Sequence, residues 1–180
     1  RGLDNVVMLL PGIYCGADNR NFSFDRYNIK IKGIGGAATT VVDLENTSRF
    51  FYLSNGGRLN FIDGITFKNG NSDYGSAVRL DNMNMEIRNC IFEDNYASQQ
   101  GTLYISGRAG KIINTVFLRN EAAYGGALSL SGSGETVIDE ASFLFNYART
   151  NGGAVHLKDG ASANISASRF MNNFAKSEGG

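Results

Sequence analysis

Proline is almost absent from this chain: its 180 residues include 1 proline, no tryptophan and only 2 cysteines. A proline removes a backbone hydrogen-bond donor, so a chain with almost none can pair its backbone nearly everywhere. Two cysteines exclude a small domain held together by several disulfides. Cys15 and Cys90 fall in different parts of the repeat described below, and we expect two buried free thiols rather than a disulfide.

A surplus of either charge is also absent, since Lys+Arg and Asp+Glu number 17 each. This balance argues against nucleic acid or an anionic membrane as the main partner, because both attract a positive surface. No apolar run approaches the roughly 18 residues of a membrane span, so no direct membrane insertion is expected. The chain begins at Arg1 without a visible signal peptide, and we expect it to be a segment of a longer protein.

Glycine and asparagine are abundant, and the sequence repeats with a period of about 25 residues. An isoleucine stands five residues before a phenylalanine in five successive repeats, at steps of 25, 25, 26 and 27 residues between phenylalanines. The isoleucines are Ile62, Ile87, Ile112, Ile138 and Ile165, and the phenylalanines are Phe67, Phe92, Phe117, Phe143 and Phe170. Three residues after phenylalanine, four repeats have an asparagine: Asn95, Asn120, Asn146 and Asn173.

A pair of small residues follows each phenylalanine after eight or nine residues. The pairs are Gly75-Ser76, Gln100-Gly101, Gly125-Gly126, Gly152-Gly153 and Gly179-Gly180. The first four introduce strands that alternate with period two, which predicts one buried face. The predicted buried positions are Val78, Leu103, Leu128 and Val155, then Leu80, Ile105, Leu130 and Leu157. The outward positions between them are Arg79, Tyr104, Ser129 and His156.

A short repeat of strands and corners cannot bury its own apolar face, so successive repeats must stack. The sequence therefore predicts an all-β, right-handed parallel β-helix of roughly seven turns, with two clear strands and a third short one per turn. The isoleucines and phenylalanines should stack inside, and the asparagines should bond the neighbouring turn. The glycine pairs should supply backbone angles or close approaches that a Cβ would forbid. We expect a single domain, irregular over residues 1–59 with a buried strand at 6–10, and regular over 60–180.

The paired motifs Phe-x-x-Asn and Gly-Gly-Ala-(Leu/Val), as in residues 117–120 and 125–128, resemble the chlamydial polymorphic outer membrane protein repeat. The resemblance covers residues 60–180, whereas the first sixty residues are similar to the opening of pectin-lyase-like β-helices. Two repeats depart from the motif, at residues 75–78 and 100–103. The resemblance implies a surface-exposed β-helical adhesin without a cofactor.

A polysaccharide lyase or hydrolase would need clustered carboxylates on one outer face. The outer position four residues before each phenylalanine reads Asp63, Arg88, Ile113, Asp139 and Ser166, which is not an acidic cluster. His156 is the only histidine and is expected at the surface. We therefore predict no catalytic residue, no metal site and no enzymatic activity.

Two kinds of surface site stay open. Tyr74, Tyr96, Tyr104, Tyr124 and Tyr147 either stack on sugars or pack along their own ladder. Asn21 and Asn46 are candidate glycosylation sites, while Asn164 of a third sequon lies in a strand next to Ile165, which is expected to be buried.

We expect an extracellular or cell-surface scaffold for adhesion or structural assembly, with a protein or glycan partner at a cell surface. One alternative is a carbohydrate-binding or polysaccharide-processing domain. Another is a subunit that stacks end to end into filaments, because the last repeat breaks off at its glycine pair without a polar cap.

Overall fold

The computed structural model describes residues 6–25, 28–55 and 60–179. These residues form parallel strands stacked as a β-solenoid of about 6 turns, with a spacing of about 26 residues. A single 3-10 turn, Ala17–Asn19, interrupts the strands. The predicted all-β parallel solenoid is thus confirmed, whereas the hand of the coil stays a prediction.

The strands form four parallel sheets, which the chain visits in the order I, II, III and IV in each regular turn, whereas the first two turns pass from sheet II directly to sheet IV. Sheet I contains β1 (Val6–Leu9), β4 (Lys30–Gly33), β7 (Phe61–Asp63), β11 (Met85–Arg88), β15 (Gly110–Ile113), β19 (Glu135–Asp139) and β23 (Ser162–Ser166). Sheet II contains β2 (Gly12–Tyr14), β5 (Thr40–Asp43), β8 (Thr66–Lys68), β12 (Ile91–Glu93), β16 (Val116–Leu118), β20 (Ser142–Leu144) and β24 (Arg169–Met171). Sheet III contains β9 (Asn71–Tyr74), β13 (Tyr96–Gln100), β17 (Glu121–Tyr124), β21 (Tyr147–Asn151) and β25 (Phe174–Ala175). Sheet IV contains β3 (Phe22–Asp25), β6 (Phe51–Ser54), β10 (Val78–Asp81), β14 (Leu103–Ser106), β18 (Leu128–Ser131) and β22 (Val155–Lys158).

A regular turn therefore has four strands, and the prediction of two or three strands per turn was wrong. Sheet III was missed because the side chains that it buries are small: Ala97, Ala122 and Ala148 replace the large apolar residues of the other sheets. A strand whose inward apolar residue is an alanine gives almost no hydrophobic alternation, although its backbone pairs with both neighbours apart from a shift in register.

The corners of the regular turns place residues in the left-handed backbone region. Between sheets II and III this residue comes two positions after the phenylalanine. The series is Asn69, Asp94, Arg119, Phe145 and Asn172, with φ between 52° and 55°. Asparagine and aspartate tolerate this conformation better than other non-glycine residues, so Arg119 and Phe145 carry strain that their counterparts avoid.

The apolar columns fill the interior. Phe67, Phe92, Phe117 and Phe143 are fully buried, with ring centroids 5.3, 5.0 and 4.9 Å apart along the series. The isoleucines Ile62, Ile87, Ile112 and Ile138 lie directly above one another in sheet I and are also fully buried. Equal residues stack in this way because every turn presents the same inward position at the same place.

The columns lose their cover at both ends of the described solenoid. Ile165 is 43% exposed and Phe170 is 46% exposed, because β23 and β24 have a neighbouring strand on one side only. Leu157 on β22 is 42% exposed for the same reason. The predicted buried strand at residues 6–10 was also wrong, since β1 is an edge strand and Met8 is 65% exposed.

The asparagine column forms a hydrogen-bonded ladder across four turns. The Asn95 side-chain amide donates to Asn120 Oδ1 at 3.0 Å, Asn120 donates to Asn146 at 3.0 Å, and Asn146 donates to Asn173 at 2.9 Å. Each amide also donates to the backbone carbonyl of the phenylalanine in the preceding turn, as Asn120 does to Phe92 at 2.9 Å. Each side-chain oxygen from Asn120 onwards also accepts from the backbone N–H of the asparagine in the preceding turn, so the side chains satisfy buried donors at the corner between sheets II and III.

The glycine pairs show both of the predicted reasons for glycine. Gly125 and Gly152 have φ of 61° and 69°, in the left-handed region. At the second member of the pair the reason is space, because a Cβ on Gly126 would lie 2.3 Å from the carbonyl oxygen of Gly153 in the next turn. Gly179 also has a left-handed φ of 70°, and Gly180 lies outside the described residues.

The two cysteines are free thiols, as expected. Cys90 is buried, and desolvation raises the pKa of its thiol to about 12. Cys15 is exposed, so the prediction that both thiols are buried was wrong for this residue. Cys15 comes directly after β2 in the first turn, where few neighbouring turns can cover it.

Candidate binding faces

The outward column of sheet IV is less exposed than its alternation predicts. Tyr104 is 7% exposed and Ser129 has no exposed surface. Residues at the ends of sheet III strands cover them: the Tyr74 ring contacts the Tyr104 ring at 5.5 Å between centroids, and the Ser129 hydroxyl donates to the Tyr124 carbonyl at 2.7 Å. Alternation gives the side of the sheet on which a residue lies, but not what the next sheet places over it.

His156 continues the same column and is half-buried rather than fully at the surface. Its ring lies 5.2 Å from the Tyr124 ring, and its buried Nδ1 has no hydrogen-bond partner among the described residues. Burial, followed by the charge of Lys158, lowers the pKa of this imidazole.

The tyrosines considered for sugar stacking mostly pack against other groups. Tyr96 is 39% exposed, but the Arg149 guanidinium carbon lies 4.7 Å from its ring centroid. Tyr147 stacks on Phe174 with centroids 5.7 Å apart. The rings thus pack, though against arginine, histidine and phenylalanine as well as one another, and not as one continuous tyrosine ladder.

Five side chains form what we call the Arg79 cluster, which lies where sheet III meets sheet IV, between β6 and β14. Its members are Arg49, Tyr52, Tyr74, Arg79 and Tyr104. The Arg79 guanidinium carbon lies 4.9, 5.3 and 5.8 Å from the ring centroids of Tyr52, Tyr74 and Tyr104. Aromatic faces attract a cation in this range of distances. Sequence analysis noted Tyr74, Arg79 and Tyr104, but missed Arg49 and Tyr52, which come from the irregular second turn.

The two arginines of the cluster differ in how their charges are compensated. Arg79 donates from Nε and Nη2 to Asp81 Oδ2 at 3.0 and 2.8 Å, and this bond raises its pKa against the effect of burial. Arg49 donates from Nη2 to the Ser72 hydroxyl. Its buried Nε has no acceptor in the described part of the chain, and burial together with the Arg79 charge lowers its pKa.

A groove of about 740 Å³ runs beside sheet I, and we call it the side groove. Outward residues from five turns follow one another along it: Lys30, Phe61, Glu86, Lys111 and Val137. At about 4.8 Å per turn these positions span about 19 Å. The groove is lined by both positively and negatively charged side chains. Among them, Lys111 makes no ion pair with any described residue.

The carboxylates are dispersed in the part of the chain that the structure describes. No group of three or more His, Cys, Asp or Glu side chains there could hold a metal ion. Asp63 pairs with Arg88 at 3.2 Å, and Asp139 accepts a hydrogen bond from Ser166 at 2.7 Å. In the outer row four residues before each phenylalanine, the acidic side chains therefore contact bases or hydroxyls, and not other acids.

The candidate glycosylation sites Asn21 and Asn46 are both exposed, with φ of 60° and 56°. Asn164 lies within β23, as predicted, but its neighbour Ile165 is exposed and not buried. Exposure leaves Asn21 and Asn46 open to a modifying enzyme, and their modification stays a prediction.

Comparisons with protein-family models, curated proteins and solved structures found no match to this chain. The resemblance to the polymorphic outer membrane protein repeat therefore depends on the sequence motifs alone. Within residues 6–25, 28–55 and 60–179, no helix is long and apolar enough to cross a membrane.

Proposed function

We propose that this chain is a non-catalytic scaffold, extracellular or at the cell surface, that serves adhesion or structural assembly. One observation carries the proposal: among the residues that the structure describes, polar side chains at the corners and strand ends bond across successive turns. Asn114 donates to Asn89 at 2.8 Å, and Arg119 donates twice to Asp94, at 2.8 and 2.7 Å. Such bonds brace each turn against the next and favour a stiff rod.

Adhesion is tested with beads coated with the purified chain and offered to a panel of eukaryotic cell types. We expect saturable attachment that soluble chain competes away. Beads coated with the Asn120→Asp variant are the control for folded structure, because its buried carboxylate cannot donate to the Phe92 carbonyl or to Asn146 Oδ1 and destabilises the ladder. Pretreating the cells with protease or with glycosidases distinguishes a protein partner from a glycan partner. Absence of attachment to every cell type, or turnover of a glycan by the purified chain, contradicts the proposal.

A carbohydrate-binding or polysaccharide-processing domain is the second candidate, and the side groove favours it. Its length along the solenoid would accommodate a linear chain of sugars, and Lys111 and Phe61 could contact a charged or apolar part of it. A glycan array and a reducing-sugar assay on pectin, alginate and cellulose test this candidate. Lys176→Met is the control, because Lys176 is exposed and does not line the groove. Binding that Lys111→Met weakens and Lys176→Met does not would support this candidate, whereas no binding and no product would dispose of it.

A filament subunit is the third candidate, and the exposed ends of the sheets favour it. Ile13 is 68% exposed at one end, and Phe170 is 46% exposed at the other. Both lie in sheet II, so a second copy could extend this sheet by strand addition. Light scattering and electron microscopy of concentrated protein test this candidate, and a strict monomer would refute it.

A further inference from the structure

Arg49 is a partly buried cation whose hydrogen-bonding capacity is largely unused. A guanidinium has five N–H donors, and one of them, on Nη2, reaches the Ser72 hydroxyl. The Nε donor is buried without an acceptor, and no carboxylate oxygen of the described residues lies within ion-pair distance. Arg79 beside it is satisfied by Asp81, so of these two arginines Arg49 is the one without a carboxylate bonded to it among the described residues. A cation held in this way is stabilised when an acceptor arrives from outside.

The surroundings of Arg49 suit a side chain of another protein. Tyrosine and arginine are the residues that most often dominate the binding energy of protein interfaces, and Tyr52 and Tyr74 keep part of their rings exposed next to Arg79. The Arg79 contacts hold both rings in place before any ligand binds. Little conformational freedom would then be lost on binding.

We propose that the Arg79 cluster binds a polypeptide partner through one aspartate or glutamate side chain, which pairs with Arg49. The inference goes beyond the scaffold function, because it assigns a particular site and a chemical class of ligand. The proposal concerns peptide binding by the isolated chain. Peptide binding can therefore fail while bead attachment succeeds, and bead attachment can fail while peptide binding succeeds.

The acids around the cluster favour a single carboxylate over a polyanion. Asp73 and Asp81 flank Arg49 closely enough that their charges act on its pKa. Asp73 accepts a hydrogen bond from Ser98 at 2.7 Å, and Asp81 accepts one from Ser106 at 2.8 Å, so both are held in place. A polyanionic polysaccharide would be repelled by both acids. A peptide with one carboxylate next to a basic residue would instead place its negative charge at Arg49 and its positive charge towards Asp73 and Asp81.

Nuclear magnetic resonance of the isotopically labelled chain tests the site, because the arginine Nε–H signals report on guanidinium contacts directly. The probes are two blocked tripeptides, acetyl-Lys-Asp-Ala-amide and acetyl-Lys-Asn-Ala-amide, and heparin serves as the polyanion. The Asp peptide should shift the Arg49 Nε–H signal and the Tyr52 and Tyr74 ring signals saturably. The Asn peptide should bind about tenfold more weakly or not at all, because it lacks the charge.

Variants make the test specific. In the variants the Tyr52 and Tyr74 ring signals are followed: Arg49→Met should abolish their shift, and Arg49→Lys should weaken it, because lysine keeps the charge without the planar fork. Arg119→Met, which removes an exposed arginine at another corner, should leave it unchanged. If Arg49→Met fails to fold, the Arg49→Lys result decides. No response of Arg49 to the Asp peptide overturns the proposal, and so does tighter binding of heparin to the same residues.

Discussion

Replacing Asn120 by alanine tests the asparagine ladder at its most buried member. Asn120 has no exposed surface, and its side chain makes four hydrogen bonds. Oδ1 accepts from the backbone and side-chain amides of Asn95 at 3.2 and 3.0 Å, and Nδ2 donates to the Phe92 carbonyl at 2.9 Å and to Asn146 Oδ1 at 3.0 Å. Alanine removes all four bonds without a change in backbone conformation.

The expected loss follows from the groups that are left without partners. The Asn95 backbone N–H and one side-chain N–H of Asn95 lose the acceptor that Asn120 gives them, and the Phe92 carbonyl loses one donor, whereas Asn146 Oδ1 still accepts from the Asn120 backbone at 3.0 Å. A buried polar group without a partner costs about 1–3 kcal/mol, so with two such donors left on Asn95 we expect the free energy of unfolding to fall by about 2–6 kcal/mol. Urea denaturation followed by circular dichroism measures this loss.

Asn173→Ala is the matched control, because Asn173 belongs to the same column but is half-buried in the last turn. It bonds Asn146 and the Phe143 carbonyl in the same way as its counterparts. Water can replace its side chain there, so we expect a loss of about 1 kcal/mol. A loss below about 1 kcal/mol for Asn120→Ala, or equal losses for the two variants, would refute the reasoning.

Three further predictions concern single positions. Phe145→Asn should raise the free energy of unfolding by about 0.5–1 kcal/mol, measured by urea denaturation, because Phe145 is exposed with φ of 55°, where asparagine is less strained; a loss would contradict this. Gly126→Ala should lower it by about 2 kcal/mol or more, because the new Cβ would clash with the Gly153 carbonyl; an unchanged urea midpoint would contradict the close approach. At pH 8 a thiol reagent should modify Cys15 alone until the chain unfolds, because Cys90 is buried and its pKa is about 12; rapid labelling of both thiols would contradict this. The free energy of unfolding should also fall as the pH rises from 9 towards 12, since in this range Cys90 ionises in the unfolded chain and stays protonated in the folded one.

The regular turns were predictable from sequence because stacking imposes the same residue type at the same place. Ile87 and Phe92 have counterparts about 25 residues away in both directions, and such columns have no other simple explanation. The asparagine ladder followed from the same argument. Sheet III did not, because Ala97 and Ala122 give no apolar signal, and the ends of the columns did not, because the exposure of Ile165 depends on which strand lies next to it.

The candidate faces were much less predictable. Tyr104 alternates as an outward residue, yet it is buried by a side chain from the preceding turn. Arg49 reaches Ser72 across a spacing of 23 residues, which departs from the regular period, so no column linked the two. The side groove depends on the shape of the corner between sheets IV and I, and the identities of Lys30 and Lys111 do not specify that shape.

Scalar coupling across backbone hydrogen bonds tests the stacking of turns most directly. In the solenoid the Glu121 amide donates to the Asn95 carbonyl at 2.8 Å, and the Tyr147 amide donates to the Asn120 carbonyl at 2.8 Å. A long-range HNCO spectrum should therefore connect residues 26 and 27 positions apart, in one direction along the chain. Absence of both correlations, or correlations that pair neighbouring strands antiparallel, would contradict the parallel solenoid.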